Sequence, residues 1–349
     1  MSFLWPWLRS ILVRLFDGPA ANNQRVWVSI PPVSQGMEPF TRSMSLTLAV
    51  TAALLLCIVA PKAGGQSAAI RPAIVLVHGR DQPVGKRADV ERGWRSAVAE
   101  GITRSRLKTS IRADDVHFVW YADILAGSQA CDFGTGLGEV VNRAPGYELW
   151  DKVRDTLVAA ARQLPNGTQR RILQLRMQDV GRYLGNGSLA CGVDNSFKAT
   201  VTAAGRDRFG KTRPVIIVAH SLGSMITYKN LRNALSDFTS PIYLITVGAM
   251  IGDAGVQHAL LGAVSDYPAP VPLPVTWWRN IINDGDFLAF KTEGAFFSSN
   301  AAKRPTDEWI RLGNVDRHSA TDYLGSPLFG QRIVEAWCRA SDAPATCGK

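Results

Sequence analysis

The sequence predicts an α/β fold: one mostly parallel central sheet with helices on both faces. Three observations carry this. The runs Ala73-Ile74-Val75-Leu76-Val77, Pro214–Ala219 and Ile242–Val247 are continuously apolar rather than alternating, as in strands buried on both sides. Segments with apolar residues at helical spacing lie between them. No repeat or low-complexity block breaks the alternation, so one domain fits.

In order, 73–77 is the first strand, and Val90, Trp94, Val98 and Ile102 predict the helix that follows. Val116–Tyr121 is the next strand. A long insertion, about residues 125–209, contains a glycine-rich loop (Gly134, Gly136, Gly138). It also contains an amphipathic pattern at Leu149, Val153, Leu157 and Leu164, and is expected to form an inserted helical cap or a set of long covering helices. Pro214–Ala219 and Ile242–Val247 are strands flanking a helix from Leu222 to about Leu235. Val275–Ile282 is a further strand, and Gly325–Arg339 a terminal helix.

That domain spans residues 70–349. Before it, Met44–Ala60 is almost wholly apolar, with Arg42 ahead and small residues (Ala63, Gly64, Gly65, Ser67, Ala68, Ala69) behind. Segment 37–69 is therefore expected to be a signal peptide, cut near Ile70, or a retained signal-anchor that ties the chain to a membrane. Arg9, Arg14, Arg25 and Arg42 favour a cytoplasmic N-terminus and an exported domain, periplasmic or secreted. Residues 1–36 are an extension whose Trp5, Trp7, Arg9 and Arg14 suit an interfacial helix; a translation start at Met37 or Met44 is the other reading.

Charge excludes little by itself. The net charge is +10, but residues 1–69 hold five basic and two acidic residues, leaving 34 basic against 27 acidic. No basic run suits nucleic acid. With 46% apolar and 19% charged residues, a disordered chain is excluded. Past residue 69 four cysteines remain, an even number that permits two disulfides in three pairings. The shortest loops favour Cys131–Cys191 and Cys338–Cys347.

The chemistry is concentrated at Ala219-His220-Ser221-Leu222-Gly223, between a strand and a helix. Small residues two before and two after a serine allow a sharp turn that exposes the hydroxyl at the carboxyl end of the sheet. Such a nucleophile needs a base, and the base an orienting carboxylate, in the chain order serine, acid, histidine. His78 and His117 precede the serine, His220 adjoins it, and His258 follows too closely, which leaves His318. The acid belongs just past a strand end, at Asp286 or its near neighbour Asp284. Two oxyanion donors are expected from the backbone N–H of Leu222 and that of Arg80, in the loop Val77-His78-Gly79-Arg80-Asp81.

These residues resemble the α/β-hydrolase superfamily over about residues 72–339. Several segments are similar to bacterial lipase/esterase-type proteins related to the inositol-deacylase group: Val75–Gly79, Val119-Trp120-Tyr121-Ala122-Asp123, Asp179–Leu184, Val218–Ser224, and His318 followed by Asp322–Gly325. Such relatives read Gly-Ser-Pro after the strand beyond the elbow helix, where this chain has Gly248-Ala249-Met250. The resemblance implies an α/β-hydrolase fold and serine-hydrolase chemistry on a small-molecule or lipid ester. The same triad would serve a thioesterase or amidase/peptidase, and a noncatalytic membrane-surface binding protein could keep the fold.

Gly205-Arg206-Asp207-Arg208-Phe209-Gly210-Lys211-Thr212 matches the phosphate-binding loop pattern. That loop works between a strand and a following helix, whereas here helical spacing precedes it and a strand follows, so it is expected to be a basic turn. Gly134-Thr135-Gly136 lacks the later glycine of a dinucleotide fingerprint, and no His/Cys cluster has metal-ligand spacing. No cofactor is expected.

Overall fold

Strand β1 (Ala73–Val77) is apolar throughout and every side chain is buried. Successive side chains in a strand point to opposite faces. Ala73, Val75 and Val77 therefore enter one hydrophobic core, and Ile74 and Leu76 the other. β3 (Val215–His220) divides the same way, with Ile217 on one side and Ile216 and Val218 on the other. Strands buried on both faces require helices on both. The computed structural model, which describes residues 71–80, 82–109, 111–127, 131, 178–261, 268–313 and 316–341, supplies them.

The remaining strands of the main sheet are β2 (Val116–Val119), β4 (Ile242–Val247), β6 (Val275–Asn283) and β8 (Thr306–Ile310). Their order is β2-β1-β3-β4-β6-β8, and every neighbouring pair is parallel. A two-residue pair, β5 (Ala269–Pro270) and β7 (Phe296–Phe297), stands apart from it. The chain is thus an α/β protein with a parallel six-stranded sheet.

One face is covered by α1 (Arg87–Ser105) and, near the end of the chain, Pro327–Ala340, whose Trp94, Val98, Ile333 and Trp337 pack with Ile74 and Leu76. Removing the Trp337 indole would cost about 3–5 kcal/mol. Two short helices follow β2 and its insertion, α2 (Ala122–Leu125) and α3 (Gln178–Gly185). The other face is covered by α4 (Gly187–Ala204) and α5 (Leu222–Arg232), through Phe197, Val201, Met225 and Ile226. Asn186 starts α4 by accepting from the Ser188 and Leu189 amides. Past α6 (Ala254–Leu261) and α7 (Ala320–Leu324), the terminal helix Pro327–Ala340 (α8) is capped by Ser326, with proline at its first position.

The buried strands lie where the apolar runs placed them, within a residue or two. The expected strand Val116–Tyr121 ends at Val119, because Trp120 and Tyr121 turn into α2. The elbow helix stops at Arg232 rather than Leu235. β8 was not anticipated: its sequence Thr-Asp-Glu-Trp-Ile is that of a half-exposed edge strand. Of the insertion, α3 and α4 are layers of the sheet's own packing, with Val180, Tyr183, Val193 and Phe197 in the core. The helix expected over Leu149–Leu164 and the loop expected at Gly134–Gly138 lie outside the described residues, as does the apolar segment 44–60.

The topology fixes where a site can form. From β1 the chain goes first to β2 on one side and then to β3 on the other. The carboxyl ends of β1 and β3 therefore flank a switch point, the crevice where open parallel sheets take ligands. His78–Arg80 leave β1 there, and Ser221 leaves β3.

Candidate active site

Ser221 joins β3 to α5 with φ 51° and ψ −123°, a conformation that costs a non-glycine residue about 1–3 kcal/mol. The surroundings enforce it. The Ser221 N–H reaches the Val247 carbonyl at the end of β4, and the Ser221 carbonyl accepts from both the N–H and Oγ of Ser224. Gly223 is needed because a Cβ there would lie 2.6 Å from the Val77 carbonyl oxygen and 2.5 Å from that of His78. Ala219, two before the serine, is fully buried in the sheet.

Ser221 precedes the helix but does not cap it with its side chain. Its Oγ is instead 2.8 Å from His318 Nε2. His318 Nδ1 is 2.8 Å from Asp286 Oδ2 and 3.0 Å from Oδ1. A carboxylate only accepts, so Nδ1 carries a proton; in the neutral ring Nε2 then has the lone pair to which the Ser221 hydroxyl donates. All three side chains are buried. The structure thus brings together the serine and histidine expected from the sequence, and it separates the two aspartates. Asp284 points outward into a surface ion pair with Arg311 at 2.9 Å. Gly285, at φ 81°, reverses the chain between them and turns Asp286 inward.

Asp286 has two further donors, the Leu288 N–H at 3.0 Å and the Tyr323 hydroxyl at 2.7 Å. Tyr323 in turn accepts from the Asn283 N–H at 2.8 Å. Burial and the adjacent Asp286 charge hold the Tyr323 phenol above its ordinary value, so it remains a donor. His318 is also held from behind: His220 Nε2 lies 3.0 Å from the His318 carbonyl, which fixes that nitrogen as the donor. Burial, then the nearby His318, push the His220 pKa well below its ordinary value, so it is a neutral positioning group.

The loop after β1 lies against the elbow. A Cβ on Gly79 would be 3.1 Å from Ser221 Cβ and 2.5 Å from His220 Nδ1, so only glycine allows that approach. Burial lowers the pKa of His78 to about 3, so its ring is neutral. Nδ1–H donates to the Gly79 carbonyl, and Nε2 accepts from the Tyr121 N–H at 3.2 Å. Leu222 opens α5, where the first N–H groups have no intrahelical acceptor. Arg80 follows Gly79 in the same buried loop.

No family model and no curated protein matches this chain. The geometry therefore carries the functional reading by itself. Sequence reasoning missed Tyr323, Tyr121 and Met250, and the positioning part of His220. Met250 Sδ lies 3.9 Å from Ser221 Oγ, so the Gly248-Ala249-Met250 loop abuts the nucleophile.

Elsewhere, Gly205–Thr212 is a turn feeding β3. Arg206 bridges Thr212, and the Asp207 carboxylate accepts the Phe209 and Lys211 amides, so the loop's own aspartate occupies donors a phosphate would need. Cys131 and Cys191 form the expected disulfide. Cys338 is also disulfide-bonded, while its expected partner Cys347 is outside the described residues. Among the described residues no group of three or more His, Cys, Asp or Glu side chains could hold a metal ion. No helix among them is long and apolar enough to cross a membrane.

Proposed function

We propose that this chain is an exported serine hydrolase of the α/β-hydrolase fold that cleaves carboxylic esters through an acyl-enzyme. The observation that carries the reading is the continuous hydrogen-bonded line from Ser221 through His318 to Asp286, built on a strained strand-to-helix turn at the switch point of a parallel sheet. A serine held merely for structure has no need of a positive φ, and at a helix start its hydroxyl would cap the first amides.

In this mechanism His318 Nε2 takes the Ser221 proton as Oγ attacks the ester carbonyl. Asp286 stabilises the resulting imidazolium and keeps Nδ1 protonated. The negative charge on the carbonyl oxygen is met by the N–H groups of Leu222 and Arg80. His318 then gives its proton to the departing alkoxide, which leaves as the alcohol. Water repeats the sequence on the acyl-enzyme, releasing the acid and restoring Ser221. The Cys131–Cys191 disulfide favours an oxidising compartment and so supports export.

The test is turnover of short p-nitrophenyl esters beside matched thioesters and amides. Ester cleavage is expected to dominate, and Ser221→Ala to lower kcat by about 10⁵–10⁶-fold. Undiminished turnover in that variant would sink the assignment, and cleavage of only thioesters or amides would redirect it.

A further inference from the structure

The segment after β2, Trp120–Asp123, takes no part in the proton relay, yet it holds the loop carrying Arg80 at two places. Tyr121 is fully buried. Its one hydroxyl proton is shared between the carbonyl of His78, the nearer acceptor, and that of Gly79 at 3.2 Å. Its N–H donates to His78 Nε2, and its ring stacks on the His78 ring with centroids 3.8 Å apart. Two residues on, Asp123 accepts the Gly85 N–H at 2.8 Å, on the far side of the same loop, and is itself fixed by Trp120 Nε1 at 2.7 Å.

A peptide group is planar and trans, so its N–H and C=O point in opposite directions. The Gly79 carbonyl is drawn toward Tyr121 and the His78 ring. The N–H of the same peptide belongs to Arg80 and is thereby turned away from Tyr121. Gly79 itself abuts Ser221.

Resting on the esterase reading, we infer that Tyr121 is a positioning residue for oxyanion stabilisation: by binding the His78 and Gly79 carbonyls, its hydroxyl fixes the peptide plane that aims the Arg80 amide at the reacting carbonyl oxygen. Asp123 holds the other end of the loop. Burial raises the Tyr121 phenol well above its ordinary value, so the clamp is a constant donor across the working pH range. The interaction is one the transition state feels and the bound ester does not, because charge collects on the oxygen only as Oγ adds.

The experiment compares the full-length wild type with Tyr121→Phe, which keeps the stacked ring, and with Asp123→Asn at the exposed end of the loop. Measured are kcat and KM on a p-nitrophenyl ester, the pH–rate profile, and inhibition by an aryl boronic acid, whose serine adduct mimics the tetrahedral state. Tyr121→Phe is expected to lower kcat by about 10–100-fold and weaken the boronic acid by a similar factor, within the range seen for a lost oxyanion donor. KM is expected to stay within about threefold and the pH limbs unmoved. Asp123→Asn is expected to show the same pattern, smaller. Unchanged kcat and boronate affinity in Tyr121→Phe, or a kcat loss that travels with a displaced pH limb, would overturn the inference. A wild type that neither turns over esters nor takes up a fluorophosphonate would overturn the esterase reading and the inference together, an outcome distinct from an active wild type with an indifferent Tyr121→Phe.

Discussion

On one side of Ser221 the acid and base themselves carry or exchange charge, Asp286 and His318, and a neutral tyrosine hydroxyl bonds the carboxylate. On the other side the His78–Gly79 end of the loop after β1 is held through neutral groups, a histidine kept uncharged by burial and a tyrosine bonded to two carbonyls. Each side has its own tyrosine hydroxyl, and the two act on different things. Tyr323 touches a group whose charge sets the strength of the base. The Tyr121 hydroxyl bonds only backbone carbonyls. The difference teaches that equally buried, equally hydrogen-bonded tyrosines in one site need not leave the same kinetic mark.

The largest effect that separates the sides comes from the acid. Asp286→Asn keeps the volume but offers His318 an amide, which permits the wrong tautomer, and kcat is expected to fall by about 10⁴-fold. Next comes the pair of tyrosines. Tyr121→Phe lowers the rate without moving the pH profile, as argued above. Tyr323→Phe removes a donor from the Asp286 carboxylate, leaving it to attract the imidazolium more strongly. That change is expected to lower kcat by about tenfold and to move the acid limb of the profile to higher pH. Identical profiles for the two variants would erase the distinction.

Acid should also act through stability, by way of the two buried neutral histidines, one on each side. The His78 pKa is lowered from 6.5 to about 3 by burial, and that of His220 is lowered for the same reason. Protonation therefore favours the unfolded chain. The stability that neutral His78 allows is complete above pH 6.5 and is lost as pH falls toward 3, and His220 acts in the same direction. Over that window His78 contributes up to roughly 1.4 kcal/mol per pH unit. Urea denaturation at pH 7.5, 6.5, 5.5 and 5 measures this above the range where ordinary carboxylates titrate, and a flat line there would count against neutral burial. The smallest effect is the control within the acid turn. Asp284→Asn breaks only an exposed ion pair with Arg311 and is expected to change kcat less than about twofold and stability by less than about 1 kcal/mol.

The parts legible in the sequence were those with local signatures. β1, β3 and β4 are buried on both faces and so appear as unbroken apolar runs. β8 escaped because an edge strand is under no such demand. Ser221 was readable from the small residues that its turn requires. Asp284 and Asp286 are not separable in the sequence, being two residues apart in one turn; the bond from His318 to Asp286 and the exposed Asp284–Arg311 pair tell them apart. Tyr121 and Tyr323 were invisible as site residues because their partners lie 42 and 37 residues away in the chain, in contacts that only the folded sheet creates.

The most direct test of the central claim is where a covalent probe lands. The wild type is treated with a fluorophosphonate at neutral pH, digested, and the modified peptide sequenced by mass spectrometry. The triad mechanism predicts a single adduct on Ser221, lost in Ser221→Ala and strongly slowed in Asp286→Asn but not in Asp284→Asn. An unmodified Ser221, or an adduct on another residue while Ser221 stays free, would contradict it.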